Sequence, residues 1–276
     1  MTILVTGATG SVGRLVVDEL LAAGVPVRAL TVDPARAKLP AGAEVVVGSL
    51  AKPSTLPVAL KGVDAVYLAP MARTVRKFCE LATEAGIERV VALSGSSVGD
   101  EHEGSSGNEY GAVEKAVREA GFAWTFLRPG VFMNNTLDWA PMVRAGEAAM
   151  AYGDATQTPI DLQDIAAVAA HVLTTEGHEA ATYVLSGPEA ISLRGQVATL
   201  ESVLGKEIRF RELTRDEQRA QWIGYGVPEQ AVDWILDGFE ETLRHPQVPT
   251  GVVEQLLGRP GTTYAEWASA RRDVFG

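Results

Sequence analysis

The sequence holds one cysteine, Cys79, in 276 residues, which excludes an internal disulfide. Its four histidines, at 102, 171, 178 and 245, have no metal-ligand spacing, and with a single thiol there is no zinc set, so no metal is expected. Long apolar runs are also missing, each being broken by Gly, Pro or charge well before the roughly 20 residues a membrane span needs. No basic segment followed by an apolar one precedes the first strand, so no export signal is expected and the chain is read as cytoplasmic. Positive charge is scarce: 24 Lys and Arg stand against 35 Asp and Glu, for a net charge of -11. Nucleic acid and anionic membrane surfaces are bound by clustered Lys and Arg, so both are disfavoured as partners. Internal repeats, low-complexity tracts and Pro-rich linkers are absent.

Short β-branched runs alternate with helical stretches. "TILVT" is followed by "SVGRLVVDELLAAG", then "PVRALT", "AEVVVG", "PSTLPVALKG", "DAVYLA", "TVRKFCELATEAG", "RVVALS", "NEYGAVEKAVREAG" and "AWTFLR". Continuous apolar strands separated by helices predict an α/β fold with a doubly wound parallel sheet covered on both faces. Gly24, Gly62, Gly86 and Gly121 are the expected helix ends, where the left-handed turn favours a residue without a Cβ. Cys79 falls on the apolar face of one such helix and reads as core packing. After about residue 130 the rhythm changes. One more helix ("LQDIAAVAAHVLTT") and strand ("ATYVLSG") precede a mostly helical tail with Trp222, Trp234, Trp267 and a strand at "KEIRFREL". The expected division is a dinucleotide-binding domain over 1–152, completed by about 161–187, and a smaller lobe over 188–276. Residues 130–152 are expected to contribute to a cleft between sheet and lobe.

The first strand runs into Gly7, Gly10 and Gly13. With 28 glycines in the chain, this bare spacing recurs by chance roughly 0.3 times per chain, so its position carries the weight. It falls where a strand ends and a helix begins, the place at which backbone N–H groups and the helix dipole hold a pyrophosphate. Gly7 permits the tight turn, Gly10 the approach of phosphate, and Gly13 close packing of helix on strand. Thr9 and Ser11 add hydroxyl donors and Val12 continues the turn. The competing reading is a strand-to-helix turn that holds no ligand.

The motif "VTGATGSVGR" resembles the extended and atypical short-chain dehydrogenase/reductase families, whose sheet is the Rossmann fold. "ALTVDPARA", "GVDAVYLAP", "LSGSSVG", "LRPGVFMNN", "GPEAIS" and "VLGKEIRF" sharpen this to a resemblance to the NmrA-like NAD(P)-binding group that includes bacterial quinone reductases. The resemblance spans most of the chain. It implies that Ser49 and Leu50 border adenine, that Ala69, Pro70 and Met71 line the nicotinamide ribose side, and that Ser94 and Pro129 complete the cofactor site. An NAD site places a carboxylate at the end of the second strand, whereas Thr31 here leaves room for a 2′-phosphate. Related NADPH binders carry Arg one residue later, where this chain has Val32. NADP(H) is therefore favoured with NAD possible, and Arg36, Lys38 and Arg28 are the sources of charge unless they form a solvated helix face.

Typical short-chain reductases place Ser about thirteen residues before Tyr and Lys four after it, the Tyr giving the proton. Ser97 and Tyr110 keep the first spacing, but the fourth residue after Tyr110 is Glu114 and the lysine is Lys115. One residue on a helix is a rotation of about 100 degrees, so Lys115 faces away from the site. The candidate catalytic pair is Tyr110 and Ser97, with Tyr110 as a packing wall and the serines as loop caps as the alternative. Phe132, Met133, Asn134, Trp139 and Trp222 are the candidate substrate residues, suited to a flat apolar acceptor. Ordinary core packing is the rival for each. Asp161 and Asp164 read as a helix start.

The expected activity is NAD(P)H-dependent reduction of a quinone or other conjugated, apolar carbonyl. A dinucleotide-binding redox sensor without turnover and a tailoring reductase or isomerase are the alternatives. A small-molecule substrate and a monomer or homodimer are expected.

Overall fold

The structure, a computed structural model, describes residues 1–276. Seven strands form one sheet: β1 (Ile3–Val5), β2 (Val27–Thr31), β3 (Glu44–Val47), β4 (Ala65–Leu68), β5 (Arg89–Leu93), β6 (Ala123–Pro129) and β7 (Ala181–Leu185). Their order is β3-β2-β1-β4-β5-β6-β7, and every neighbouring pair is parallel. Four long helices cover this sheet: α1 (Ser11–Ala22), α2 (Val75–Glu84), α3 (Gly107–Glu119) and α4 (Leu162–Thr174). The expected doubly wound Rossmann sheet is thus present, and the strand order reverses between β1 and β4, where such sheets bind their ligands.

Strand alternation assigns the two faces. Leu4, Val66, Leu68, Val90, Ala92 and Phe126 join Phe78, Cys79, Val113 and Val117 of α2 and α3 in one apolar cluster. Complete burial of a side chain such as Phe78 contributes about 1.5–3 kcal/mol. Helices α1 and α4 pack on each other against the opposite face, with α4 reaching β4, β5 and β6. Cys79 is buried, and burial pushes its thiol up to about 11, so it behaves as a small apolar residue.

The stretch "PSTLPVALKG", expected as one helix, is a 3-10 turn over Pro53–Thr55 followed by a short helix over Pro57–Leu60. Each proline opens a turn, and Pro57 lacks the N–H needed to continue the first.

The chain divides into two units, one of residues 1–99, 106–129 and 162–185, the other of 100–105, 130–161 and 186–276. The first contains the sheet. The second is built on a cluster that includes Met133, Val143, Met150, Leu200, Tyr264, Trp267 and Phe275. Trp267 stacks on Tyr264 with ring centres 5.4 Å apart and meets Phe275 edge-on at 6.0 Å. The strand expected at "KEIRFREL" is Arg209–Leu213 and pairs in parallel with Glu147–Ala151. Capping boxes at Thr214/Glu217 and Thr263/Glu266 start two of this unit's helices by satisfying their free N–H groups. No helix of the chain is long and apolar enough to cross a membrane.

Candidate functional site

In the first unit, the carboxyl ends of successive strands bring together Gly7–Gly13, Thr31, Ser49, Leu50, Ala69–Met71, Ser94 and Pro129. The glycine turn is the best defined part. Gly7 has φ of +60°, and a Cβ there would lie 2.8 Å from the Ala69 Cβ beyond β4. The Gly10 N–H closes the turn on the Gly7 carbonyl at 2.8 Å. A Cβ on Gly13 would come within 2.2 Å of that same carbonyl oxygen, so helix α1 can seat against the turn only with glycine here.

Gly10 is the N-cap of α1, and no side chain caps the helix. Helices normally satisfy those first N–H groups with a Ser, Thr, Asp or Asn side chain. Here they have no side-chain cap and the positive end of the helix dipole lies behind them, the arrangement to which phosphate groups bind. Thr9 and Ser11 are exposed in the turn, while Val12 is buried beneath it. Thr6 ties the neighbouring strand ends together: its hydroxyl donates to the Tyr67 carbonyl at 3.0 Å and accepts from the Ala69 N–H at 2.8 Å.

At the end of β2, Thr31 is buried and its Oγ1 accepts from the Asp33 N–H at 3.2 Å. Asp33 caps the short helix Pro34–Ala37, accepting from the Ala35 and Arg36 N–H groups. Its carboxylate is thus occupied by helix capping. Arg36 is exposed. Lys38 has a left-handed backbone with φ of 48°, and its carbonyl accepts from both terminal nitrogens of Arg14 at 2.5 Å. Arg14 also reaches the Ala37 carbonyl at 3.1 Å. This clamp between the first turn of α1 and the loop after β2 carries no sequence signal, because no local pattern marks it. Arg28 is removed as a source of cofactor charge: its guanidinium is committed to Glu44 at 2.9 Å and to the Ala59 and Lys61 carbonyls.

After β3, the Ser49 hydroxyl accepts from the Ala51 N–H, stabilising its own turn. Leu50, Ala69 and Met71 line a narrow apolar crevice with Leu68, Thr74, Val75 and Phe78, which has no room for a water molecule. Pro70 is half-buried, and Pro129 is buried with its carbonyl accepting from the Ser96 N–H at 3.0 Å.

The corner formed by β5, β6 and α3 corrects one assignment. Ser94 is 1% exposed and donates its hydroxyl inward to Glu114 Oε1 at 2.7 Å, so its side chain faces no ligand. Glu114, equally buried, receives Arg128 in a two-pronged pair at 2.7 Å on each oxygen and Arg118 at 3.1 Å. Burial alone would raise the Glu114 carboxyl, but the bonds from Arg128 and Ser94 and the two guanidinium charges outweigh it and hold the group below the ordinary carboxylate range. Lys115, one residue on, is exposed and faces Glu119 at 3.8 Å. The Ser97 hydroxyl is 3.3 Å from that of Ser106 and makes no hydrogen bond to Tyr110. Tyr110 is half-buried, with its ring over Gly95, where a Cβ would lie 2.4 Å from Cε2. Sequence spacing singles out the positions 110, 114 and 115. It does not show that Glu114 has an arginine partner.

In the second unit, Phe132 is half-buried and pairs with Ile160 in a parallel bridge. Met133 is a second correction: it is fully buried in the unit's core and offers no surface to a substrate. The Asn134 side-chain carbonyl accepts from the Trp267 indole at 3.2 Å, so its amide is at least partly structural. Trp139 is half-buried against the core cluster, and Trp222 packs on Phe239 with ring centres 6.2 Å apart. Asp161 faces Arg271 at 3.7 Å, and Asp164 is buried in the first turn of α4.

Comparison with known proteins bears on what this arrangement holds. Residues 7–176 match the model of a family described as NAD(P)H-binding. The (4-alkanoyl-5-oxo-2,5-dihydrofuran-3-yl)methyl phosphate reductase of Streptomyces griseus is 39% identical over 279 residues, covering 99% of each chain. The NAD(P)H azoreductase of Xenophilus azovorans is 36% identical over 285 residues, again covering 99% of each. Among solved structures, an NADPH-dependent quinone oxidoreductase of Escherichia coli complexed with NADPH superposes with a TM-score of 0.85 at 27% identity, over 98% of this chain and 99% of that one.

Proposed function

Since the chain belongs to the NAD(P)H-binding family and is an NAD(P)H-dependent oxidoreductase, we propose that it uses NADPH to reduce a quinone or a similarly conjugated, apolar carbonyl acceptor. The observation that carries the cofactor half is the uncapped N-terminus of α1 above a turn that only glycine can form. A diphosphate takes up those N–H groups and the helix dipole together. At the end of β2, a neutral Thr31, an Asp33 occupied by capping and an exposed Arg36 favour a 2′-phosphate over a bare ribose. Arg14 keeps that loop in place through its backbone carbonyls.

The acceptor half is supported by what the corner at β5 and α3 does not hold. Ser97 is bonded to Ser106, and Lys115 is turned to solvent, so no serine and lysine flank Tyr110 in the manner of a typical short-chain reductase. Bound NADPH would supply a hydride. A quinone accepting it gains two electrons and one proton, and solvent provides the second proton, so one NADPH yields one hydroquinone without a dedicated acid. Chain residues then act mainly by binding and orientation. The relatives named above reduce an unsaturated lactone, azo compounds and quinones by their names, and acceptors of this electron-poor, conjugated type are the class proposed here.

The test follows NADPH oxidation, as loss of nicotinamide absorbance, over a panel of quinones, enones and azo compounds. Turnover with quinones and enones is expected, with NADPH preferred to NADH. Tight NADPH binding without turnover on any member of the panel would refute the acceptor class.

A further inference from the structure

We infer that Glu114 is a positioning residue, which through its pair with Arg128 holds the Tyr110 phenol at the carboxyl end of β5; the inference rests on the reductase reading above. Three elements meet at the Glu114 carboxylate. Ser94 comes from the end of β5, Arg128 from β6 and Arg118 from α3 itself, and all four bonds are 2.7–3.1 Å. A buried carboxylate is tolerated only when its oxygens are filled in this way, and the two-pronged geometry fixes orientation as well as distance. The helix is therefore pinned to the sheet at one point.

Tyr110 lies four residues before Glu114 on the same helix face. The ring rests on Gly95, the residue after Ser94, and a Cβ there would lie 2.4 Å from Cε2 and 2.8 Å from Cδ2. Its place is set by two things: the absence of a side chain at 95 and the seating of α3 that Glu114 enforces. The phenol oxygen takes no part in the hydrogen bonds of this corner and is not one of the buried polar atoms that lack a partner, so it opens to solvent while the ring is half-buried. An accessible hydroxyl on a ring seated at the carboxyl end of a parallel strand is placed to meet a ligand. The residue at the position where typical relatives carry lysine thus serves the same tyrosine by geometry instead of by charge.

The test uses the full chain as wild type, Tyr110→Phe, Glu114→Gln, Gly95→Ala, and the latter two in the Tyr110→Phe background. Incorporated fluorotyrosine gives a fluorine resonance for each of the six tyrosines, and Tyr110→Phe identifies that of residue 110. Glu114→Gln and Gly95→Ala should each move this resonance and leave the others in place. Both should lower kcat about tenfold at unchanged NADPH Kd, because a displaced ring no longer orients the acceptor in the site. In the Tyr110→Phe background each should cost less than about twofold, since coupled residues do not add. An unmoved resonance in Glu114→Gln, or a full loss of kcat that persists without the phenol, overturns the inference. Gly95→Ala reaches the ring without touching the ion pair, so the inference can still fail or hold if Glu114→Gln folds poorly. A shifted resonance in a protein that turns over no acceptor of the panel supports the positioning role while refuting the reductase reading.

Discussion

The turn after β1 and the corner after β5 both depend on a glycine that lets something come close, yet they differ in what comes close. At Gly13 the neighbour is a backbone carbonyl, which cannot move without dismantling the turn. At Gly95 it is the rim of a tyrosine ring, which can swing aside. The first corner leaves the helix N–H groups without a side-chain cap. The second is sewn shut underneath by a carboxylate and two guanidiniums, with only the ring above it. One glycine specifies a backbone path, the other the location of a single side chain.

Substitutions separate the two cases. Gly13→Ala should have the largest effect, destabilising the protein by about 3 kcal/mol, at the upper end for overpacking, and abolishing measurable NADPH binding. Thermal unfolding with and without nucleotide checks both, and an unaltered nucleotide-induced shift would erase the contrast. Glu114→Ala should come next. Leaving Arg128, which is only partly buried, without its partner is expected to cost about 2 kcal/mol, below the range for a fully buried pair. Because the Glu114 carboxyl is held below its ordinary range, its stabilising effect is complete above that range and is lost as pH falls through the depressed value. Denaturant unfolding of wild type and Glu114→Gln should accordingly differ most at about pH 7 and draw together as pH falls below the ordinary carboxylate range. Arg14→Met should weaken NADPH binding roughly tenfold and NADH binding little, since the loop after β2 loses charge-assisted bonds to two carbonyls. Parallel titrations with the two nucleotides measure it. Gly95→Ala should be mildest for stability, at most about 1 kcal/mol, because the ring yields. A loss as large as that of Gly13→Ala would show the second corner to be as rigid as the first.

The fold was legible because its signals are local. An apolar run of five residues, a glycine after a helix and three glycines between strand and helix each report on the few residues around them, and the sheet order follows from their alternation. The candidate site was legible to the same depth. The Gly7–Gly13 turn could be read from its spacing and its place between strand and helix. Glu114 could not, because its partner Arg128 sits on another strand, and only the register of α3 against β6 brings the two within 2.7 Å. Met133 and Asn134 present the same difficulty. An apolar residue beside an amide fits a substrate wall as well as a core, and the choice between them depends on Trp267, 133 residues beyond Asn134. Arg14 has the pattern of one more solvent-facing helix residue, and only the loop at 37–38 lying across it gives it partners.

The division of the chain also bears on how the protein can be taken apart. The polypeptide passes from one unit to the other five times, after residues 99, 105, 129, 161 and 185. No single cleavage releases either unit whole, and a fragment ending anywhere before residue 185 lacks β7 or part of it. Exchanging the second unit for that of a relative would require several splices in register, so it is more accessible to point changes than to recombination of modules.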